Sequence, residues 1–191
     1  MQFNIFGARV TVSFLLIALL AFFAFTDKQG LFLCAFTAAL LHEGGHLIAV
    51  LACACRVQSL ELLPCGIKLK LTRPLSLLPI SRQLLILLAG CATNFAVCLI
   101  LFWGCGRWTT PCTVHLATGL FNMLPSGTLD GGRALEVLLP GCPRLLDVLS
   151  MGCAALLFLA GVALLRVSGY NVSLLITAAY LAVTVIVRQK S

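Results

Sequence analysis

Apolar residues in this chain come in long blocks, not at one-face helical spacing. Six blocks stand out, at about Val10–Thr26, Leu31–Ala54, Leu84–Trp103, Cys112–Leu124, Leu145–Leu165 and Val172–Val187. Most approach the roughly 20 residues that a helix needs to cross the hydrocarbon of a bilayer. The fourth is short and runs into Pro125 and a glycine-containing turn. Broken backbone at membrane depth is tolerated only where protein or a water-filled cavity surrounds it. The end of the fourth block is therefore a candidate site. Between the second and third blocks the pattern changes. Ser59-Leu60-Glu61-Leu62 and Ile67-Lys68-Leu69-Lys70-Leu71-Thr72 alternate apolar and polar residues about Pro64-Cys65-Gly66. Alternation about a turn predicts a β-hairpin, against the plainer alternative of an interfacial loop with alternating charge. The expected fold class is an all-α polytopic membrane protein. It has about six transmembrane helices, a small β-hairpin at the cytoplasmic interface, and a single membrane-embedded domain over residues 1–191.

Composition agrees. The mean hydropathy is +1.08 and only 10% of residues are charged, where a soluble domain carries about a quarter. So few charges leave much of the surface to lipid. The length fits one compact membrane domain without an appended regulatory domain. The net charge of +7 does not point to nucleic acid, because the basic residues are scattered between apolar runs. Six spans would place Arg9, Arg56, Lys68, Lys70, Arg73, Arg82, Arg133, Arg144, Arg188 and Lys190 on one side. Lys28, Arg107 and Arg166 fall on the other. Ten against three predicts both termini in the cytoplasm of a multi-pass cell-membrane protein. A cleaved leader is not expected, since Asp27 and Lys28 follow the first block without an A-x-A site. The ten cysteines include no C-x-x-C pair and mostly lie within apolar stretches. They read as inert, hydrophobe-like thiols.

Chemistry enters with His42-Glu43-Gly44-Gly45-His46 in the second block. Histidines four apart on a helix face the same way and can share a metal ion, with Glu43 beside them. Three ionisable groups in one apolar helix are costly, and such groups mark function in membranes. The plainer reading, ordinary core histidines, fares badly on that ground. Counted from Ala54, the motif lies roughly 12–18 Å along the helix axis, below the surface but nearer the cytoplasm. A catalytic zinc needs a third protein ligand and an open position. Glu61 is too superficial, Asp147 reads as a boundary charge, and Glu136 is expected to pair with Arg133. Asp130 remains, on the same side as the histidines by topology; its competing role is to cap a short helix. His115 is expected near the outer end of the fourth span, with no ligand role.

The pairing of His42-Glu43-x-x-His46 with Asn122-x-x-Pro125…Leu129-Asp130-Gly131-Gly132 resembles the site-2 protease family. Gly90-Cys91-Ala92-Thr93-Asn94 resembles the family's Gly-Pro-x-x-Asn element, with Cys91 in place of proline. Spacing, six-span layout and size look most like the branch that processes sporulation sigma-factor precursors. The resemblance implies a zinc metalloendopeptidase with one Zn2+ per chain, held by His42, His46 and Asp130, and Glu43 as catalytic base. It implies that Asn122 and Asn94 position substrate or stabilise the site; an interhelical hydrogen bond is the alternative for Asn94. The implied partners are a membrane-protein substrate, the lipid bilayer and a regulatory membrane protein, with no nucleic acid. A different class stays open: a catalytically inactive, metal-binding membrane adaptor that holds clients without cutting them.

Overall fold

The fold is a computed structural model that describes residues 2–5, 8–63, 66–168 and 173–190. It divides into two compact units, Met1–Leu120 and Phe121–Ser191.

The first unit opens with strands β1 (Gln2–Ile5) and β2 (Ala8–Val12), then helices α1 (Phe14–Thr26) and α2 (Leu31–Ala52). Asp27 joins the two helices: its carboxylate accepts from the backbone N–H of Leu31 at 3.2 Å and of Phe32 at 2.6 Å. These are first-turn donors that have no partner within their own helix. Gly30 completes the turn at φ +68°, a left-handed conformation that glycine adopts without strain. At the far end of α2 the Ala54 N–H bonds to Leu51 O and the Cys55 N–H to Val50 O, at 2.9 and 3.0 Å. This is a Schellman termination with Ala54 in the left-handed position, φ +57°.

Strands β3 (Val57–Leu63) and β4 (Gly66–Leu71) follow. They are the predicted hairpin, antiparallel, with Glu61 opposite Lys68 and Leu60 opposite Leu69. Pro64 and Cys65 of its turn lie outside the described residues. The hairpin is half of a larger sheet in the order β1-β2-β3-β4. β2 runs parallel to β3, Val10 beside Leu60 and Val12 beside Leu62. This corrects the first expected span, because Val10–Val12 belong to a strand and the helix begins only at Phe14. Ala49 and Val50 of α2, its C-cap Cys53 and Ile86 form a buried core, against which Val57 and Leu71 of the sheet pack.

Helices α3 (Ile80–Cys105) and α4 (Thr110–Asn122) follow the sheet. α2 and α3 pack closely through small residues. A Cβ on Gly45 would stand 2.7 Å from the Ala89 carbonyl oxygen and would overlap the Thr93 hydroxyl. Small residues permit such backbone approach between helices in lipid.

The second unit holds α5 (Asp130–Leu138), α6 (Pro143–Ser168) and α7 (Ser173–Lys190). α6 and α7 pack on each other, with Gly161 against Leu175.

Each of the six expected segments contains a helix. Leu31–Ala52, Ile80–Cys105 and Pro143–Val167 are long and apolar enough to cross a membrane; Phe14–Phe23 and Leu175–Val187 are shorter apolar helices. At 1.5 Å per residue, α2 and α3 run about 33 and 39 Å, whereas α1 and α4 run about 20 Å. Large apolar side chains stand outward, including Phe25 at 90% exposure, Trp103 at 80% and Val167 at 87%. Water would solvate such a surface poorly, and lipid solvates it well. This is a multi-pass membrane protein with a small mixed β-sheet.

Candidate metal centre

The two histidines of α2 present their ε nitrogens to each other. His42 Nε2 and His46 Nε2 lie 3.2 Å apart, with ring planes at 84°. The i, i+4 spacing creates this on any helix, but tertiary contacts hold the rings in place. His46 Nδ1 donates to the Ile86 carbonyl oxygen at 2.7 Å. His42 Nδ1 faces the Asn94 amide nitrogen at 3.2 Å. Both partners belong to α3, so that helix grips both rings from behind. An outer-shell partner of this kind orients a metal-binding imidazole and sets its tautomer.

Gly90 also belongs to this grip. A Cβ there would stand 2.5 Å from His46 Nε2 and 2.7 Å from His42 Nε2. The α3 backbone therefore lies directly against the nitrogen pair. Glu43 follows His42 on α2 and is half-buried.

Asp130 begins α5 after a tight loop. In that loop the Ser126 N–H bonds to Leu124 O and the Leu129 N–H to Ser126 O, each at 2.8 Å. Ser126 is fully buried, and the Ser150 hydroxyl donates to the Pro125 carbonyl at 3.1 Å. The glycines after Asp130 are required by this packing. A Cβ on Gly131 would overlap the Met123 carbonyl, and one on Gly132 the Ser126 carbonyl. Leu129 occupies the N-cap position and Asp130 is the first helical residue. There its negative charge is favoured by the helix dipole.

One ligand atom each from His42, His46 and Asp130 lies within 4.8 Å of the others. Two imidazole nitrogens and one carboxylate oxygen, with the imidazoles buttressed from behind, form a donor set suited to zinc.

Of the two expected asparagines, Asn94 is fully buried behind His42. It makes the interhelical hydrogen bond of the plainer reading, and makes it to a candidate ligand. Asn122 is the last residue of α4 and is half-buried. His115 departs from expectation. It is buried at 4% exposure, and its Nδ1 lies 2.9 Å from Asn94 Oδ1. It is no remote residue: it stands two hydrogen bonds from His42 Nδ1. In the sequence, a third histidine inside an apolar run was the one signal that marked it.

No family model matches this chain, and no curated protein matches it. Among solved structures the fold is similar to that of the Site-2 Protease from Methanocaldococcus jannaschii. The TM-score is 0.66 at 19% sequence identity, over 97% of this chain and 93% of that one. At that identity the likeness is one of fold.

Proposed function

We propose that this chain is an intramembrane zinc metalloprotease of the site-2 protease type, acting as one proteolytic domain. It hydrolyses peptide bonds in or near transmembrane segments of membrane-tethered proteins, a class that includes transcription-factor and sigma-factor precursors. The His42–His46–Asp130 cluster carries this reading, and the likeness in fold to a protease of that name supports it.

His42 and His46 offer nitrogen lone pairs, and Asp130 a carboxylate oxygen, to one zinc ion per chain. Bound there, the ion supplies Lewis acidity towards water and towards the scissile carbonyl. Glu43 takes the proton of the attacking water and returns it to the leaving amine. Asn122 and Asn94 position the substrate or the site around it. A helical peptide bond is shielded, so the substrate must first unwind. Its freed backbone groups then need partners, which edge pairing with the sheet provides. β4 forms one edge of that sheet and suits the purpose. The excess of basic residues on one set of loops favours cytoplasmic termini and a site nearer the cytoplasm.

The test is Glu43→Gln in detergent-purified protein and in cells co-expressing candidate membrane-tethered precursors. Zinc should stay near one per chain, while cleavage falls by about 10²-fold or more. Cleavage by the variant at near wild-type rate would refute the mechanism. Zinc in the wild type without cleavage of any precursor would favour the adaptor reading.

A further inference from the structure

His42 and His46 differ in what stands behind them, and the difference matters for metal binding. His46 Nδ1 faces the Ile86 carbonyl oxygen at 2.7 Å, a group that can only accept. Its proton is therefore held on Nδ1, and its Nε2 is the acceptor nitrogen of the ring. His42 Nδ1 instead faces a carboxamide, which accepts at one end and donates at the other.

As the side chains stand, the hydrogen bonds run in one direction. His115 Nδ1 donates to Asn94 Oδ1 at 2.9 Å, and Asn94 Nδ2 donates to His42 Nδ1 at 3.2 Å. His42 Nε2 then donates to His46 Nε2 at 3.2 Å, and His46 Nδ1 to Ile86 O. Every member is satisfied, but this polarity puts the His42 proton on Nε2, the atom a metal ion needs bare. A neutral imidazole carries one proton. Ligation through Nε2 therefore requires that proton on Nδ1, facing an acceptor.

Half a turn of the Asn94 carboxamide supplies the acceptor. Oδ1 then accepts from His42 Nδ1–H, and Nδ2 donates towards His115 Nδ1. His115 must answer by leaving Nδ1 bare and carrying its proton on Nε2. The net charge is unchanged; two neutral rings exchange tautomers. Asn94 is fully buried and His115 nearly so, so water does not readily replace either partner.

We propose that Asn94 and His115 form a tautomer-setting pair for His42, in which His115, with Nδ1 bare, accepts from the turned carboxamide and so holds the orientation that leaves His42 Nε2 unprotonated for the metal. Both act as positioning residues. The inference rests on the metal-centre reading above.

The test measures zinc affinity of purified full-length protein by competition with a chromophoric chelator. His115→Ala should weaken zinc by about 10- to 100-fold, the usual effect of losing an outer-shell partner. Asn94→Asp should retain zinc, because a carboxylate accepts in either orientation. In that background His115→Ala should cost nothing further, which a packing role would not produce. Wild-type affinity in His115→Ala, or an equal loss in both backgrounds, would overturn the proposal. A measurement independent of the variants is histidine ¹⁵N NMR of zinc-loaded wild type. His42 should be protonated at Nδ1 and His115 at Nε2; a proton on His115 Nδ1 would overturn the pairing. Wild type that binds no zinc would overturn the metal-centre reading itself, and this inference with it.

Discussion

Gly90→Ala tests most directly whether the α2–α3 packing is built around a metal. The added methyl carbon would meet His46 Nε2 at 2.5 Å, His42 Nε2 at 2.7 Å and His42 Cε1 at 2.8 Å. Ordinary contact begins near 3.4 Å, so the His46 nitrogen must retreat by about 0.9 Å. Neither ring retreats freely, because each is bonded from behind to α3. Zinc ligands tolerate displacements of only about 0.2 Å, so the two-histidine grip should be lost. We expect zinc affinity to fall by at least about 100-fold, equivalent to about 2.7 kcal/mol. The fold should survive, since alanine favours a helix over glycine by about 1 kcal/mol and the clash falls on side-chain ends. Zinc per chain by mass spectrometry, with a chelator competition titration, reads the loss. Gly44→Ala is the control: it meets nothing within 4 Å and should keep its zinc. Wild-type affinity in Gly90→Ala would refute the reasoning.

Gly132→Ala should damage the Asp130 ligand through its backbone, because the new methyl overlaps the Ser126 carbonyl and stands 2.7 Å from Gly127 N. Overpacking of this kind costs about 1–3 kcal/mol, so both detergent-state thermal stability and zinc retention should drop; unchanged values would refute the loop's role. Ala54→Gly should act in the opposite sense. It relieves the left-handed φ of +57° at the α2 terminus, with a net gain of about 0.5–1 kcal/mol after the extra chain entropy of glycine. That corresponds to a rise of about 1–4 °C in Tm for a chain of this size, measured in detergent, and a fall in Tm would contradict the assignment of strain there.

Local geometry alone made His42, Glu43 and His46 legible in the sequence. Four residues on a helix bring two histidines together whatever surrounds them, and lipid gives charged groups no idle place. The hairpin was legible for a similar reason, since alternation in Ser59–Leu62 and Ile67–Thr72 encodes strand pairing across a short turn. Leu129-Asp130-Gly131-Gly132 showed a carboxylate before two glycines, but not why both glycines are needed. That depends on the Met123 and Ser126 carbonyls lying against the start of α5. The N-terminal strands escaped because Val10–Val12 merges with the apolar run of α1, while its partner in the sheet, Leu60–Leu62, is about fifty residues away. A parallel pairing across so long a connection leaves no local signature. His115 escaped for the same reason. Only folding sets α4 beside α3, so that a histidine 21 residues from Asn94 bonds to the amide that faces His42. The sequence by itself determined which groups could do chemistry. The tertiary structure decided which of them face a carbonyl and which a carboxamide, because those partners lie on another helix.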